Sequence, residues 1–115
     1  MAKASRSTKA LPAPAAKAIE VFTQDIVTAR KRRRIPQRLL AQRMMVSLDT
    51  LQRLERGEPG VSLGVVATAL WALGLTERLA VLASPDQDTT GKAEELKRLP
   101  KHARVPRAPK SDLDF

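Results

Sequence analysis

From residue 15 to residue 82 the apolar residues return every three or four positions, and nowhere do they alternate for long. Ala15, Ile19, Phe22, Ile26 and Ala29 form one such stripe, which predicts an amphipathic helix ending near Arg33. Ile35-Pro36 then breaks and restarts the chain. The residue before a proline avoids the helical region, and proline suits the first turn of a new helix. A second helix is expected from Pro36 to about Met45 and a third from Leu48 to Arg56. Ser47 fits the N-cap of the third, because its hydroxyl can accept from a free backbone N–H. Gly57 fits its end, because glycine adopts positive φ. Ser62 is the expected cap of a fourth helix, Leu63 to Leu73, stopped by Gly74. Thr76 is the expected cap of a short fifth that runs to about Leu82. SPDQDTTG (Ser84 to Gly91) reads as punctuation, and Lys92 to Leu99 has room for one or two more helical turns. Val61, Val65 and Val66 are β-branched, but they share a helical frame with Leu63, Leu70 and Leu73. The fold class is therefore all-α, a compact bundle of about five short helices.

The ends read differently. Met1 to Pro14 is basic, without an acidic residue and without the apolar stretch of a secretory signal; a disordered basic arm is expected. After Pro100, KHARVPRAPKSDLDF predicts an extended, basic, mobile tail. The expected division is an arm over 1–14, a helical domain over 15–83, and a C-terminal extension and tail over 84–115. A helical domain of roughly 60–70 residues is small by surface-to-volume scaling, so a second copy that covers apolar surface is expected. Val66, Leu70, Trp71, Leu79 and Leu82 are the candidate dimer interface, with ordinary core filling an equal role for Trp71.

Charge narrows the partners. Lys and Arg number 21 against 12 Asp and Glu, a net charge of +9 in 115 residues. Such an excess favours a polyanion, nucleic acid before a membrane surface. No apolar run approaches the ~20 residues of a membrane span. The absence of cysteine excludes a disulfide scaffold, and the single histidine, His102, makes no metal cluster alone. No metal and no cofactor are expected. No catalytic constellation or phosphate-cradling glycine loop stands out, so the chain is not read as an enzyme. With one Trp, two Phe and no Tyr, the stacking platforms of a single-strand reader are scarce, and duplex DNA is the favoured target.

The stretch LAQRMMVSLDTLQRLERG (Leu40 to Gly57) has the parts of a DNA reader. Two short helices flank a turn of about three residues. Ala41 is small where the helices would cross, and Leu40, Met44, Val46, Leu51 and Leu54 have the spacing to pin both to the first helix. Leu48, Asp49, Gln52 and Arg53 would then face outward from the start of the third helix, where base edges are read. Leu48 suits a thymine methyl, Asp49 a cytosine amine, and Arg53 a guanine or a phosphate; Gln52 reads adenine or serves structure.

QRLLAQRMMVSLDTLQRLERG resembles the helix-turn-helix of the phage-repressor (Cro, or Xre) family. The resemblance spans roughly Ala18 to Ala83. It rests on Gln37 opening the second helix, Ala41 at its fifth position, Ser47 starting the third, and the closing Glu55-Arg56-Gly57. It implies a five-helix repressor-like domain and an ion pair between Arg30 and Glu55. It also implies that Gln37 bonds a phosphate or orients the reading helix, and that Ser47 can reach a phosphate. Arg38, Arg43, Arg56 and the Arg30–Arg34 run are the expected electrostatic contacts, with Thr50 in the same backbone-contacting or orienting group. Met45 departs from the family at a turn position often held by Gly; at positive φ it would cost roughly 1 kcal/mol.

The segment from Ala72 onward is similar to the C-terminal half of HipB-type antitoxins, through Gly-Leu-x-x-Arg-Leu, a Pro-Asp-x-Asp turn and Leu-Pro-Lys-x-x-Arg. That resemblance implies a cytoplasmic, nucleoid-associated bacterial homodimer. It would bind an operator in its own promoter and hold a HipA-like Ser/Thr kinase toxin, of one or two chains, inactive. The alternative is a stand-alone repressor with no toxin partner. In the tail, Leu113 and Phe115 could dock in a groove on a partner, although termini are more often simply mobile.

Overall fold

The computed structural model describes residues 11–100, and all its regular elements are helical. The arm up to residue 10 and the tail from residue 101, with His102, Leu113 and Phe115, lie outside the described residues. The helices are α1 (Ala13–Arg32), α2 (Gln37–Met44), α3 (Leu48–Glu55), α4 (Leu63–Ala72), α5 (Thr76–Ala80) and α6 (Thr89–Arg98); a 3₁₀ turn, Pro85–Gln87, precedes α6. The chain divides into two compact units after Val81.

α1 starts at Ala13, two residues before the expected Ala15. Pro12 stands at the cap and Pro14 in the first turn, where the missing N–H has no intrahelical partner to lose. α5 also differs from expectation: Leu75 holds the cap position, Thr76 is the first helical residue, and the helix stops at Ala80. α6 is longer than one or two turns from Lys92, because the Asp88 carboxylate caps the chain earlier, accepting from the Gly91 N–H at 2.9 Å.

In the first unit the core is Ile26 from α1, Ile35, then Leu40, Ala41 and Met44 from α2, Leu51 and Leu54 from α3, and Ala69, Leu70 and Leu73 at the end of α4. Ala41 is buried and α2 packs closely on α3, as its small side chain permits. Phe22, Ala29, Val46, Val66 and Leu79 pack around this cluster half-buried. Leu70 is spent in the core at 4% exposure and offers a second copy no surface, which removes it from the candidate dimer interface. Trp71, one residue on, is 62% exposed, and Leu82 in the second unit is also exposed.

Four helices end alike. Arg34, Met45, Gly57 and Gly74 have φ of 55°, 58°, 82° and 77°, the left-handed region. Each donates its N–H to a carbonyl three residues back, and the next residue donates to one five residues back, at 2.7–3.2 Å. These bonds satisfy carbonyls that the helix leaves open. They also fold the residue after the stop onto the last helical turn, pairing Ile35 with Arg30, Val46 with Ala41, Glu58 with Arg53, and Leu75 with Leu70. Ile35, Val46 and Leu75 are apolar and belong to the core or pack on it. Glu58 is the exception.

Candidate nucleic-acid interface

Ser47 fixes the start of α3. Its Oγ accepts from the Thr50 N–H at 3.0 Å and shares a hydrogen bond with the Thr50 hydroxyl at 2.9 Å. Asp49 lies in that first turn, where its charge suits the helix dipole. Leu51 and Leu54 point into the core, so the opposite arc of α3 carries Leu48, Asp49, Gln52, Arg53 and Arg56. Asp49 and Arg56 are exposed; Leu48, Gln52 and Arg53 are half-buried. The four expected base-reading residues thus share one surface.

A polar chain holds α3, running from Glu55 on its inner side to Gln52 on its outer arc. Arg30 donates to Glu55 twice, from Nε at 2.7 Å and Nη2 at 3.0 Å, and to the Ile35 carbonyl from Nη1 at 3.0 Å. The two side chains are 10% and 6% exposed. A planar guanidinium matches a carboxylate in this two-bond arrangement. Gln37 donates to Glu55 Oε1 at 2.7 Å, and Gln52 donates to Gln37 Oε1 at 3.3 Å. The chain Arg30–Glu55–Gln37–Gln52 therefore links α1, α2 and α3. Of the roles left open for Gln37 and Gln52, orientation of α3 is the one their bonds serve.

The arginines divide by partner. Arg30 is internal, and Arg33 Nη1 donates to the Ala29 carbonyl at 2.8 Å, closing the end of α1. Lys31, Arg32, Arg34, Arg38 and Arg43 are exposed. Arg53 and Arg56 share one carboxylate. Glu58 accepts from Arg53 Nε at 3.0 Å and from Arg56 Nη2 at 2.8 Å and Nε at 3.2 Å. The Arg56 and Arg53 hydrogen bonds hold the Glu58 carboxyl below the ordinary carboxylate range. By spacing alone Glu58 falls between the expected third and fourth helices and has no assigned role. The signal that would have found it is Gly57: a glycine stop puts the second residue beyond a helix against the third residue from its end. Gly57 is favoured there by its φ of 82°, and a Cβ would also stand close to Thr23 Oγ1, at 3.1 Å.

Among the described residues no group of acidic, His or Cys side chains is placed to hold a metal, and no helix is long and apolar enough to cross a membrane. Compared with family models, with curated proteins and with solved structures, the chain matches none.

Proposed function

We infer that the chain is a sequence-specific duplex-DNA-binding protein of the helix-turn-helix kind, and that α3 is its reading helix. The observation that carries this reading is the two-sided build of α3. One side is fixed by the core and by the bonds of Glu55 to Arg30 and Gln37, while the other, steadied by the Gln52–Gln37 bond, presents Leu48, Asp49 and Arg53 at the surface. A helix that reads base edges needs both a rigid seat and a free outer arc. Arg53 would take a guanine, Leu48 a thymine methyl, and Asp49 would accept from a cytosine or reject other sites. Exposed Arg38 and Arg43, and the open cations at the end of α1, would hold phosphates and carry no sequence information.

The protein would act as a homodimer. α4 is apolar nearly all round, yet only Ala69 and Leu70 within it are buried, leaving Trp71 and Leu63 exposed. A helix of that composition normally has cover on more than one side. The narrower reading is an antitoxin and autorepressor that also binds a HipA-like kinase. What favours it over a stand-alone repressor is a second unit with its own exposed leucines, Leu82, Leu96 and Leu99, which DNA reading does not use.

Fluorescence anisotropy with the duplex upstream of the chain's own gene and a scrambled duplex, across a salt series, tests the reading. Binding at least ~10³-fold tighter to the native duplex at physiological salt is expected. Equal binding to both, fading steeply with salt, would leave only the net charge to explain it. Co-purification with a kinase encoded alongside separates antitoxin from stand-alone repressor.

A further inference from the structure

We propose that Glu58 sets the sequence discrimination of the α3 surface, by holding Arg53 in reading position and by withdrawing Arg56 from phosphates. The inference rests on the DNA-binding reading above and names a residue that decides its specificity.

The geometry at the two arginines differs. Arg53 meets Glu58 through Nε alone, and its two terminal nitrogens make no hydrogen bond to the described residues. Those are the nitrogens that a guanine takes at O6 and N7. A carboxylate on Nε therefore fixes the side chain and leaves the reading fork open. Arg53 enters the groove with less rotamer entropy to lose than a free arginine. Arg56 meets the same carboxylate through Nε and Nη2, both on Oε2, which occupies one edge of its guanidinium and sets a negative charge where a phosphate would approach.

Glu58 is itself placed by the backbone. Gly57 turns the chain, and the Glu58 N–H bonds the Arg53 carbonyl at 3.2 Å. At the other three left-handed stops this slot holds an apolar residue that packs inward. At α3 alone the slot holds a carboxylate, 39% exposed, between two cations of the reading surface. An acid there repels phosphates and so weakens attachment to arbitrary DNA, the component of affinity that carries no sequence information. On a matching site the ordered Arg53 recovers the loss through a base. The two effects act in the same direction, toward a larger ratio of specific to non-specific binding.

The test is anisotropy on wild type and Glu58→Gln, with the native upstream duplex and its scrambled counterpart over the same salt series. The variant is expected to bind the scrambled duplex more tightly, with a salt slope steeper by about one as Arg56 gains a phosphate. Its ratio of native to scrambled binding should fall about tenfold, within the range of one good base contact. Arg53→Gln and the double variant locate the effect: once Arg53 is gone, Glu58→Gln should change native-duplex binding only as much as it changes scrambled-duplex binding. A wild-type protein that discriminates and a Glu58→Gln ratio unchanged would overturn the Glu58 proposal alone. A wild-type protein that does not discriminate would overturn the DNA-reading assignment and this inference with it. Matching thermal unfolding curves exclude misfolding as the cause.

Discussion

Arg30 and Glu55 stand 25 residues apart in the chain and meet through two hydrogen bonds, of 2.7 and 3.0 Å, with both side chains nearly withdrawn from water. The pair ties the end of α1 to the end of α3. Removing one partner strands the other as a buried charge, and such losses run to about 3–5 kcal/mol. Arg30→Ala should therefore destabilise the protein by at least about 3 kcal/mol in chemical denaturation, since it also abandons the Ile35 carbonyl. Arg30→Met with Glu55→Met should cost less than the two single changes added together, because no charge is left unpaired. Strict additivity would show that the two residues do not act as a pair.

Ser47 and Ser62 separate capping from DNA contact. Each accepts from a backbone N–H three residues on, at 3.0 and 3.2 Å, at the start of α3 and α4. Replacing either by Ala should cost about 1 kcal/mol of stability. Only Ser47→Ala should also weaken DNA binding, because only Ser47 begins α3, the helix proposed above to read DNA. Equal binding losses from both, measured by anisotropy at one temperature, would assign the effect to stability.

Met45 is 90% exposed and has φ of 58°. A side chain in that region costs roughly 1 kcal/mol, whereas glycine adds about 0.5 kcal/mol or more of chain entropy to lose. Met45→Gly should leave stability unchanged or raise it by up to about 0.5 kcal/mol in guanidinium denaturation. A clear loss would mean that the Met45 side chain has a role in the fold that its exposure does not show.

The Glu58 carboxyl is held below its ordinary value of 4.5 by Arg56 first and Arg53 second. A carboxylate with a depressed folded-state value contributes stability that is present above its unfolded value and is lost as pH falls through the folded one. Glu58 is open to solvent, so the contribution is small, but the midpoint is measurable. Carbon-detected NMR titration should place Glu58 below an ordinary glutamate. Arg56→Gln should move it back further than Arg53→Gln does. A wild-type midpoint at the ordinary value would mean that neither guanidinium holds the carboxylate in solution.

Local signals in the chain were legible wherever a single residue carries them. Ser47, Ser62, Gly57 and Gly74 announce caps and stops through their own chemistry, and the helical stripes name Leu40, Ala41, Met44, Leu51 and Leu54 as core. The Arg30–Glu55 pair was within reach only through a family resemblance, because no periodicity joins residues so far apart. The Gln37–Gln52 bond depends on where two helices cross, which no spacing fixes. Leu70 shows the limit from the other side: its pattern fits core and interface equally, and only packing put it inside while leaving Trp71 out. Arg34 gave no warning of its left-handed turn, since its residue type does not favour one, and at Met45 the warning came only from a family position often held by Gly. Glu58 falls between two expected helices, and its place beside Arg53 comes from the return that Gly57 makes, which no periodicity marks.

The repeated left-handed stops bear on how the chain finds its fold. Each cuts its helix to length using bonds that span five residues or fewer, so the cut requires no partner from elsewhere in the chain. Helices of fixed length can then assemble as preset rods, and only a few distant bonds remain to choose among their packings. Sequences in which local and global preferences agree leave few competing compact states. Two of the four stops fall on Arg34 and Met45, which pay sterically for a geometry that glycine adopts freely. At those junctions the register of the assembled helices outweighs local comfort, and one residue too many or too few would turn Arg30 or the outer arc of α3 away from its place.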